Sequence, residues 1–420
     1  MNGTLFTIFT LMYMLFGVLF YELRVFTYID ETLTLIIALY AGYKILTRQI
    51  PFNKPFVIWL AISFFYLIYS LVIESNEQIA IVNDFIMQSK PYLVFFGLMC
   101  IKPRLERLHF DLLQGICWIS LFLLIAIYFQ HPDDREVVTY GVMLTGEALS
   151  AVAILIGTLY YLCCNRDSTA SKITTILIMS AGLLSPTSKF GATFVAAILI
   201  IFFVSKPIKI NLKYLTMGAV AIAIMFFVVK DEFIFYFVQD YQYNARPMLY
   251  IKMWEIMADY VPFGSGFATY ANPASMIWYS PIYSKYNLEN IWGLNEGEEM
   301  SFAADTYYPI LAQFGYVGIA LFIWFFYYLF KQINNHYNLT ADIKRYKTAL
   351  IIVSYILIQA TSNALANERC VVAMTILVLA LYKYRPKPRP SAINSFGLDF
   401  AKSVDDYRPD QQKDESTSNQ

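Results

Sequence analysis

Long apolar runs recur along most of the chain and alternate with short polar segments. Several runs approach the ~20 residues needed to cross a bilayer, and the shorter ones would extend into flanking polar residues. We interpret the runs as membrane-spanning helices. The pattern predicts twelve of them, at 4–21, 32–46, 56–73, 91–101, 113–129, 137–163, 173–184, 190–204, 212–229, 306–330, 349–361 and 371–382. We therefore expect an all-α polytopic membrane protein.

The segment 231–304, between the ninth and tenth runs, is the one large hydrophilic loop. It holds 18 aromatic residues, and disordered segments are poor in aromatics, so we expect the loop to fold. Its clearest element is a helix from Pro247 to about Tyr260, where Leu249, Met253, Ile256, Met257 and Tyr260 form one apolar stripe. Such an amphipathic helix suits the membrane interface, and a plain covering role for it is equally open.

The distribution of lysine and arginine predicts the topology. If both termini are cytoplasmic, 22 of the 31 basic residues fall on the cytoplasmic side, as the positive-inside rule requires. The loop 231–304 then faces outward. We expect residues 1–382 to form the transmembrane domain and residues 383–420 to form a disordered cytoplasmic tail.

Composition excludes several classes of protein. The chain of 420 residues is 58% hydrophobic and only 15% charged, which is too apolar for soluble domains. Its net charge of zero gives no basic footprint for a nucleic-acid partner. The five cysteines lack metal-ligand spacing, so neither a zinc site nor a disulfide framework is expected.

Ionisable residues at the outer ends of spans are the first candidates for function, because burying charge in a membrane is costly. Five of the seven are cations, which suits an anionic ligand on the outer side, although any one could instead be a snorkelling interfacial residue. The seven are Lys90, Arg135, Glu147, Lys189, Arg246, Asp305 and Arg369.

Three stretches together resemble the O-antigen ligase and polymerase superfamily, the Wzy-type repeat-unit polymerases and their ligase relatives. The first, SPTSKFG from Ser185 to Gly191, is similar to a Ser-x-Ser-Arg/Lys element, with Thr187 inserted. The other two are Arg246…Trp254…Pro262-Phe-Gly264-Ser-Gly266, and Asp305-Thr-Tyr-Tyr308 followed by Gln313-Phe-Gly315-Tyr-Val-Gly318. A weaker likeness runs from Arg135 to Glu147. Where the ligases usually have histidine, this chain has Asp305, which favours the polymerases.

The resemblance implies a GT-C-like, metal-independent membrane glycosyltransferase of cell-surface polysaccharide biosynthesis in the bacterial inner membrane. It would transfer glycan from undecaprenyl diphosphate to the next lipid-linked repeat unit, without a cofactor. Asp305 is the first candidate to accept the proton of the attacking hydroxyl, and Glu147 is the second. The lipid diphosphate would be stabilised by Arg246, Lys189 and Arg135. The remaining candidates for substrate binding are Ser188, Gly264, Gly266 and Tyr308.

Other functions remain open at this stage. The protein could be an O-antigen ligase, a lipid-linked oligosaccharide flippase or transporter, or a scaffold. Transporters usually contain two similar halves, and the two halves of this sequence have no matching segments at corresponding positions. A scaffold would leave the outer cations and loop motifs without a role. Expected partners are the lipid-linked oligosaccharide and the bilayer, together with a chain-length regulator and a flippase.

Overall fold

The computed structural model describes most of the chain outside its tail. The described ranges are 3–14, 29–48, 53–101, 105–130, 138–139, 142–143, 146–185, 187–207, 244–296, 306–361, 365 and 368–382. The predicted ninth span, the start of the external loop and the predicted tail 383–420 lie outside these ranges. So do Arg135 and Asp305.

The described chain is helical, apart from a two-residue antiparallel pair in which β1 (Val138–Thr139) faces β2 (Val142–Met143). Helices occupy eleven of the twelve positions predicted for spans. In chain order these are α1 Gly3–Met14, α2 Ile29–Leu46, α3 Lys54–Val72, α4 Gln78–Ile101, α5 Arg107–Gln130, α6 Gly146–Cys163, α7 Thr169–Met179, α8 Ser188–Phe203, α12 Gly315–Thr340, α13 Ile343–Gln359 and α14 Glu368–Leu381.

The described part of segment 231–304, which we call the external loop after its predicted position, contains three further helices: α9 Ala245–Asp259, α10 Pro273–Ile277 and α11 Pro281–Lys285. The predicted loop helix is confirmed as α9, which begins two residues earlier than expected. Its buried side includes Leu249, Met253, Ile256 and Met257, the predicted apolar stripe, while Tyr260 follows the last helical residue. Hydrophobic burial of this stripe docks α9 on the rest of the protein.

The apolar helices identify a membrane-associated protein. Three described helices are long and apolar enough to cross a membrane, at Lys54–Val72, Arg107–Ala126 and Gly315–Thr340. The first of these, α3, keeps large apolar side chains such as Phe64 and Ile68 about half exposed, as contact with lipid would allow. Twelve spans with both ends inside remain a prediction.

Three predicted spans begin nine or more residues away from their expected position. The sixth begins at Gly146 and not at residue 137, because the strands β1 and β2 precede it. The fourth begins at Gln78 and not at residue 91, because the polar residues Asp84, Gln88 and Lys90, which are buried in the structure, interrupt the apolar pattern before Pro91. The tenth begins at Gly315 and not at residue 306, because a separate 3₁₀ helix, Tyr308–Gln313, precedes it.

Helices α6, α8 and α14 all pack against α13, and α6 also packs against α8 and α14. Basic residues near the start of α13 join them at one end. Lys344 donates to the Leu162 carbonyl of α6 at 2.7 Å, and Lys347 donates to the Ile201 carbonyl of α8 at 2.9 Å. Arg345 donates to the Leu379 carbonyl of α14 at 3.1 Å. These cations satisfy carbonyls that the helix ends leave unpaired and oppose the negative end of each helix dipole.

The same three contacts fix the direction of the neighbouring helices. Each partner carbonyl lies in the last turn of its helix, whereas the three cations lie at the beginning of α13. Helices α6, α8 and α14 therefore run antiparallel to α13, and their first turns lie at the end of the bundle where α13 terminates at Gln359. We name this end the outer end, following the predicted topology.

The external loop is fastened to α3 and α4 by side chains that bind its irregular backbone. Buried Asp84 is the centre of this contact, since its Oδ2 accepts the Ala268 N–H at 2.8 Å and the Asn272 side-chain amide at 3.0 Å. The Ser70 hydroxyl accepts the Phe267 N–H at 2.8 Å. The Asn76 amide donates to the Ala268 and Trp278 carbonyls at 2.7 and 2.8 Å.

Replacing Asp84 with alanine should loosen the external loop. The Ala268 N–H and the Asn272 amide would lose their shared acceptor while still buried, at a cost of about 2 kcal/mol or more. We expect a lower unfolding midpoint in detergent and faster proteolysis within 264–278. The matched control is Glu77→Ala, which removes an exposed carboxylate just before α4. Equal protection of the loop in D84A and E77A would contradict this account.

Candidate functional site

Helix α9, which carries Arg246, packs on the 3₁₀ helix Tyr308–Gln313. Arg246 and Tyr250 are four residues apart and share one side of α9. Burial raises the pKa of Tyr250, the nearby Tyr308 phenol raises it further, and the Arg246 guanidinium opposes that shift. The three side chains therefore form one cluster, in which half-buried Arg246 supplies the positive charge.

The end of α13 holds the Tyr308 side chain and its backbone in place. Its hydroxyl donates to the Leu357 carbonyl of α13 at 2.7 Å, and the preceding Tyr307 N–H donates to the Ala360 carbonyl at 3.3 Å. Both carbonyls belong to the last turn of α13 and the residue after it. The cluster of Arg246, Tyr250 and Tyr308 thus lies at the outer end of the central bundle.

Ser188 and Lys189 also lie at this outer end, in the first turn of α8. Thr187 caps the helix, since its hydroxyl accepts the Phe190 N–H at 3.2 Å. A helix N-terminus that carries a lysine favours an anion electrostatically. Lys189 is half-buried and already interacts with other groups of the protein.

Two further charged residues begin helices at the same end. Arg369 is the second residue of α14, and Glu147 is the second residue of α6, although the Glu147 side chain lies outside the described part of the structure. The outer end thus collects Arg246, Lys189 and Arg369. Arg135 and Asp305 cannot be placed, and Thr306, which follows Asp305, is buried.

One of the predicted outer cations, Lys90, is taken up by a buried ion pair. Its ammonium is 2.6 Å from Asp30 Oδ2 and 2.6 Å from Glu31 Oε1. Removing a lysine from such a group would leave two carboxylates uncompensated in the protein. Lys90 therefore pairs with the acidic first turn of α2, and we do not include it among the cations that could bind a ligand.

Gly264 and Gly266 are positioned by internal contacts. Both residues have a positive φ, +81° and +89°. Their N–H groups, predicted to approach a phosphate or sugar, donate within the protein instead. The Gly264 N–H bonds the Tyr260 carbonyl at 2.8 Å, and the Gly266 N–H bonds the Gln313 carbonyl at 2.9 Å. The two glycines join the end of α9 to the 3₁₀ helix that carries Tyr308.

The structure adds residues that the sequence did not single out. Tyr250 belongs to the cluster, and its only sequence signal was a spacing of four from Arg246. Tyr307 is buried and pairs with the Tyr92 hydroxyl of α4, a contact between distant parts of the chain. Across the described ranges, no three histidine, cysteine, aspartate or glutamate residues are grouped closely enough to hold a metal ion.

Compared with protein-family models, curated proteins and solved structures, the chain matches none.

Replacing Gly264 with alanine should damage folding. The new Cβ would lie 2.3 Å from the Gly315 nitrogen, at a φ that L-residues rarely adopt, and overpacking plus backbone strain amount to about 2–5 kcal/mol. We expect loss of monodisperse protein in size-exclusion chromatography. Gly115→Ala is the control, because its Cβ would meet nothing within 4 Å. A G264A protein with an unchanged unfolding midpoint would contradict the packing role.

Proposed function

We propose that this protein is a polymerase of lipid-linked oligosaccharide repeat units. In this proposal it is a twelve-span enzyme of the bacterial inner membrane, with both termini in the cytoplasm and the loop 231–304 outside. The cluster of Arg246, Tyr250 and Tyr308 is the observation that supports it best. Helix α9, which carries Arg246, packs on the 3₁₀ helix that is bonded to the last turn of α13, and Lys189 and Arg369 lie at the same end of the bundle.

The proposed reaction is a glycosyl transfer between two lipid-linked glycans. A sugar hydroxyl of the next repeat unit attacks the anomeric carbon of the growing glycan, and a new C–O bond forms. The bond between that carbon and the diphosphate oxygen breaks, and undecaprenyl diphosphate leaves with the electron pair. The proton of the attacking hydroxyl passes to a carboxylate, for which Asp305 is our first candidate and Glu147 our second.

The cations have a specific task in this reaction. Negative charge develops on the diphosphate as the glycosidic bond breaks, and fixed positive groups that meet it stabilise the transition state more than the ground state. Arg246 is the principal candidate, because guanidinium binds phosphate oxygens in pairs. Lys189 and Arg135 are the others, and Tyr308 and Ser188 would bind the sugar or the phosphate.

Removing Arg246 should abolish polymer formation without unfolding the protein. We expect Arg246→Ala to lower transfer by about 100-fold or more, the usual effect of losing one fixed stabilising group. Glycan-length profiles of cells would then show single lipid-linked repeats and no long chains. Arg246→Lys should rescue little, since an ammonium cannot bind two oxygens in one plane.

A cation on another side of the same helix serves as the control. Lys252 pairs with Glu255 on α9 at 2.7 Å, so Lys252→Ala should leave the glycan profile unchanged. Asp305→Ala should reproduce the loss seen in R246A. Long-chain polysaccharide that persists in both R246A and D305A, at normal protein levels, would rule out the polymerase. Loss of single repeats at the outer surface as well would favour the flippase.

The topology is testable by cysteine labelling. All five native cysteines are buried, so an introduced cysteine should dominate the signal. We expect Asn290→Cys, exposed in the external loop, to react with a membrane-impermeant maleimide on intact spheroplasts. Ser205→Cys, exposed after α8, should react only after the membrane is opened. The reverse pattern would invert the proposed topology.

A further inference from the structure

Buried Asp84, which fastens the external loop to α4, has no basic partner within the described ranges. Its partners are N–H donors. Oδ2 accepts the Ala268 N–H and the Asn272 amide, and Oδ1 accepts the Gln88 amide at 3.2 Å. Because all three partners donate, a protonated Asp84 would bring its own O–H against a donor. The geometry therefore suits a carboxylate, and a buried carboxylate without a counter-charge is costly.

Two amide oxygens near Asp84 also lack a hydrogen-bond partner in the described part of the chain. They are Gln88 Oε1 and Gln313 Oε1, in residues that are 6% and 0% exposed. Flipping either amide would set oxygen against oxygen, because the Gln88 nitrogen faces the Asp84 carboxylate and the Gln313 nitrogen faces the Tyr270 carbonyl at 2.9 Å. Buried acceptors of this kind are rare, and each requires a donor or a cation.

The three side chains are close enough to share one ion. An amide oxygen lies about 2.2 Å from its own nitrogen, so Gln88 Oε1 is no more than about 5.5 Å from Asp84 Oδ1. The Gln313 amide also lies within hydrogen-bonding reach of the Asp84 carboxylate. A hard cation about 2.4 Å from each of two oxygens bridges a gap of up to about 5 Å. A small adjustment of the two amides would therefore bring their oxygens and the carboxylate to the same ion.

Space for an ion lies beside Gln88. This residue lines a cavity of about 120 Å³ between α3, α4 and α12, whereas one water needs roughly 10–15 Å³. Most of the wall is aromatic or aliphatic, with the hydroxyl-bearing residues Ser89 and Tyr307 also present. The cavity thus has room for an ion and for waters that complete its coordination.

We propose that Asp84, Gln88 and Gln313 bind a monovalent alkali cation. The donors are all oxygens, which favours a hard ion over a transition metal that prefers nitrogen or sulfur. They carry a single negative charge, which one monovalent ion balances, whereas divalent calcium sites usually use several carboxylates. A water would satisfy the amide oxygens but would leave the charge of Asp84 in place.

The ion joins separate parts of the chain. Asp84 and Gln88 belong to α4, and Gln313 is the last residue of the 3₁₀ helix that carries Tyr308. Through Asp84 the ion is also linked to the backbone of the external loop at Ala268. Its role is structural, and it binds whether or not the protein transfers glycans.

Thermal unfolding tests the site. Purified full-length protein in detergent would be titrated with NaCl while N-methyl-D-glucamine chloride holds the ionic strength constant. We expect a saturable rise of the midpoint by about 2 °C or more, and radiolabelled Na⁺ should bind at one ion per chain. No response to Na⁺, K⁺ or Li⁺ would indicate a buried water only and would overturn the proposal. A larger effect of Ca²⁺ than of Na⁺ at equal concentration would overturn it as well.

Three variants separate the site from general salt effects. Asp84→Asn removes the charge and keeps the shape, so the saturable response and the binding of labelled Na⁺ should both disappear. Glu77→Gln is the matched control, because it neutralises an exposed carboxylate just before α4 and should respond as the wild type does. Gln88→Met removes one of the orphaned oxygens and keeps the carboxylate, so Na⁺ affinity should fall about tenfold or more. Undiminished Na⁺ binding in both D84N and Q88M would also refute the site, and Q88M decides the matter if D84N folds poorly.

Discussion

Backbone groups buried away from water must find partners inside the protein, and this requirement shapes the contact between the external loop and the helices. The segment 264–278 has little regular structure, so its N–H and C=O groups cannot pair with one another as they would in a long helix. Side chains of α3 and α4 supply the partners, with Asp84 at the centre. Since the same segment follows α9 and bonds the 3₁₀ helix, the packing of α9 on that helix depends on these bonds.

Local patterns predicted the parts of the fold that local forces determine. The stripe of α9 was correctly predicted because one helix face is buried whatever it packs on, and the apolar runs marked most helices. The start of α4 was missed, because Asp84 lies in it as a buried polar residue whose partners Ala268 and Asn272 are far away in sequence. Hydropathy registers the side chain and not the hydrogen bond that makes its burial possible.

In the candidate site, too, some residues could be predicted from local sequence and others depend on partners that are distant in the chain. Arg246, Lys189 and Tyr308 could be singled out from sequence, and the structure places all three at the outer end of the bundle. Lys90 could not be distinguished from them, since its carboxylate partner Asp30 is sixty residues away. The glycines at 264 and 266 were singled out as candidates for substrate binding, but their close approach to residues 312–315 is a property of the assembled fold.

The lysines and arginine at the start of α13 also have a mechanical consequence. Their hydrogen bonds join α6, α8 and α14 to α13 at one end of the bundle. Helix α13 is about 25 Å long, and a tilt of about 5° at the tied end would displace the other end by about 2 Å. A small tilt would thus change the spacing between helices at the end that carries Lys189 and Arg369, while these hydrogen bonds stayed in place.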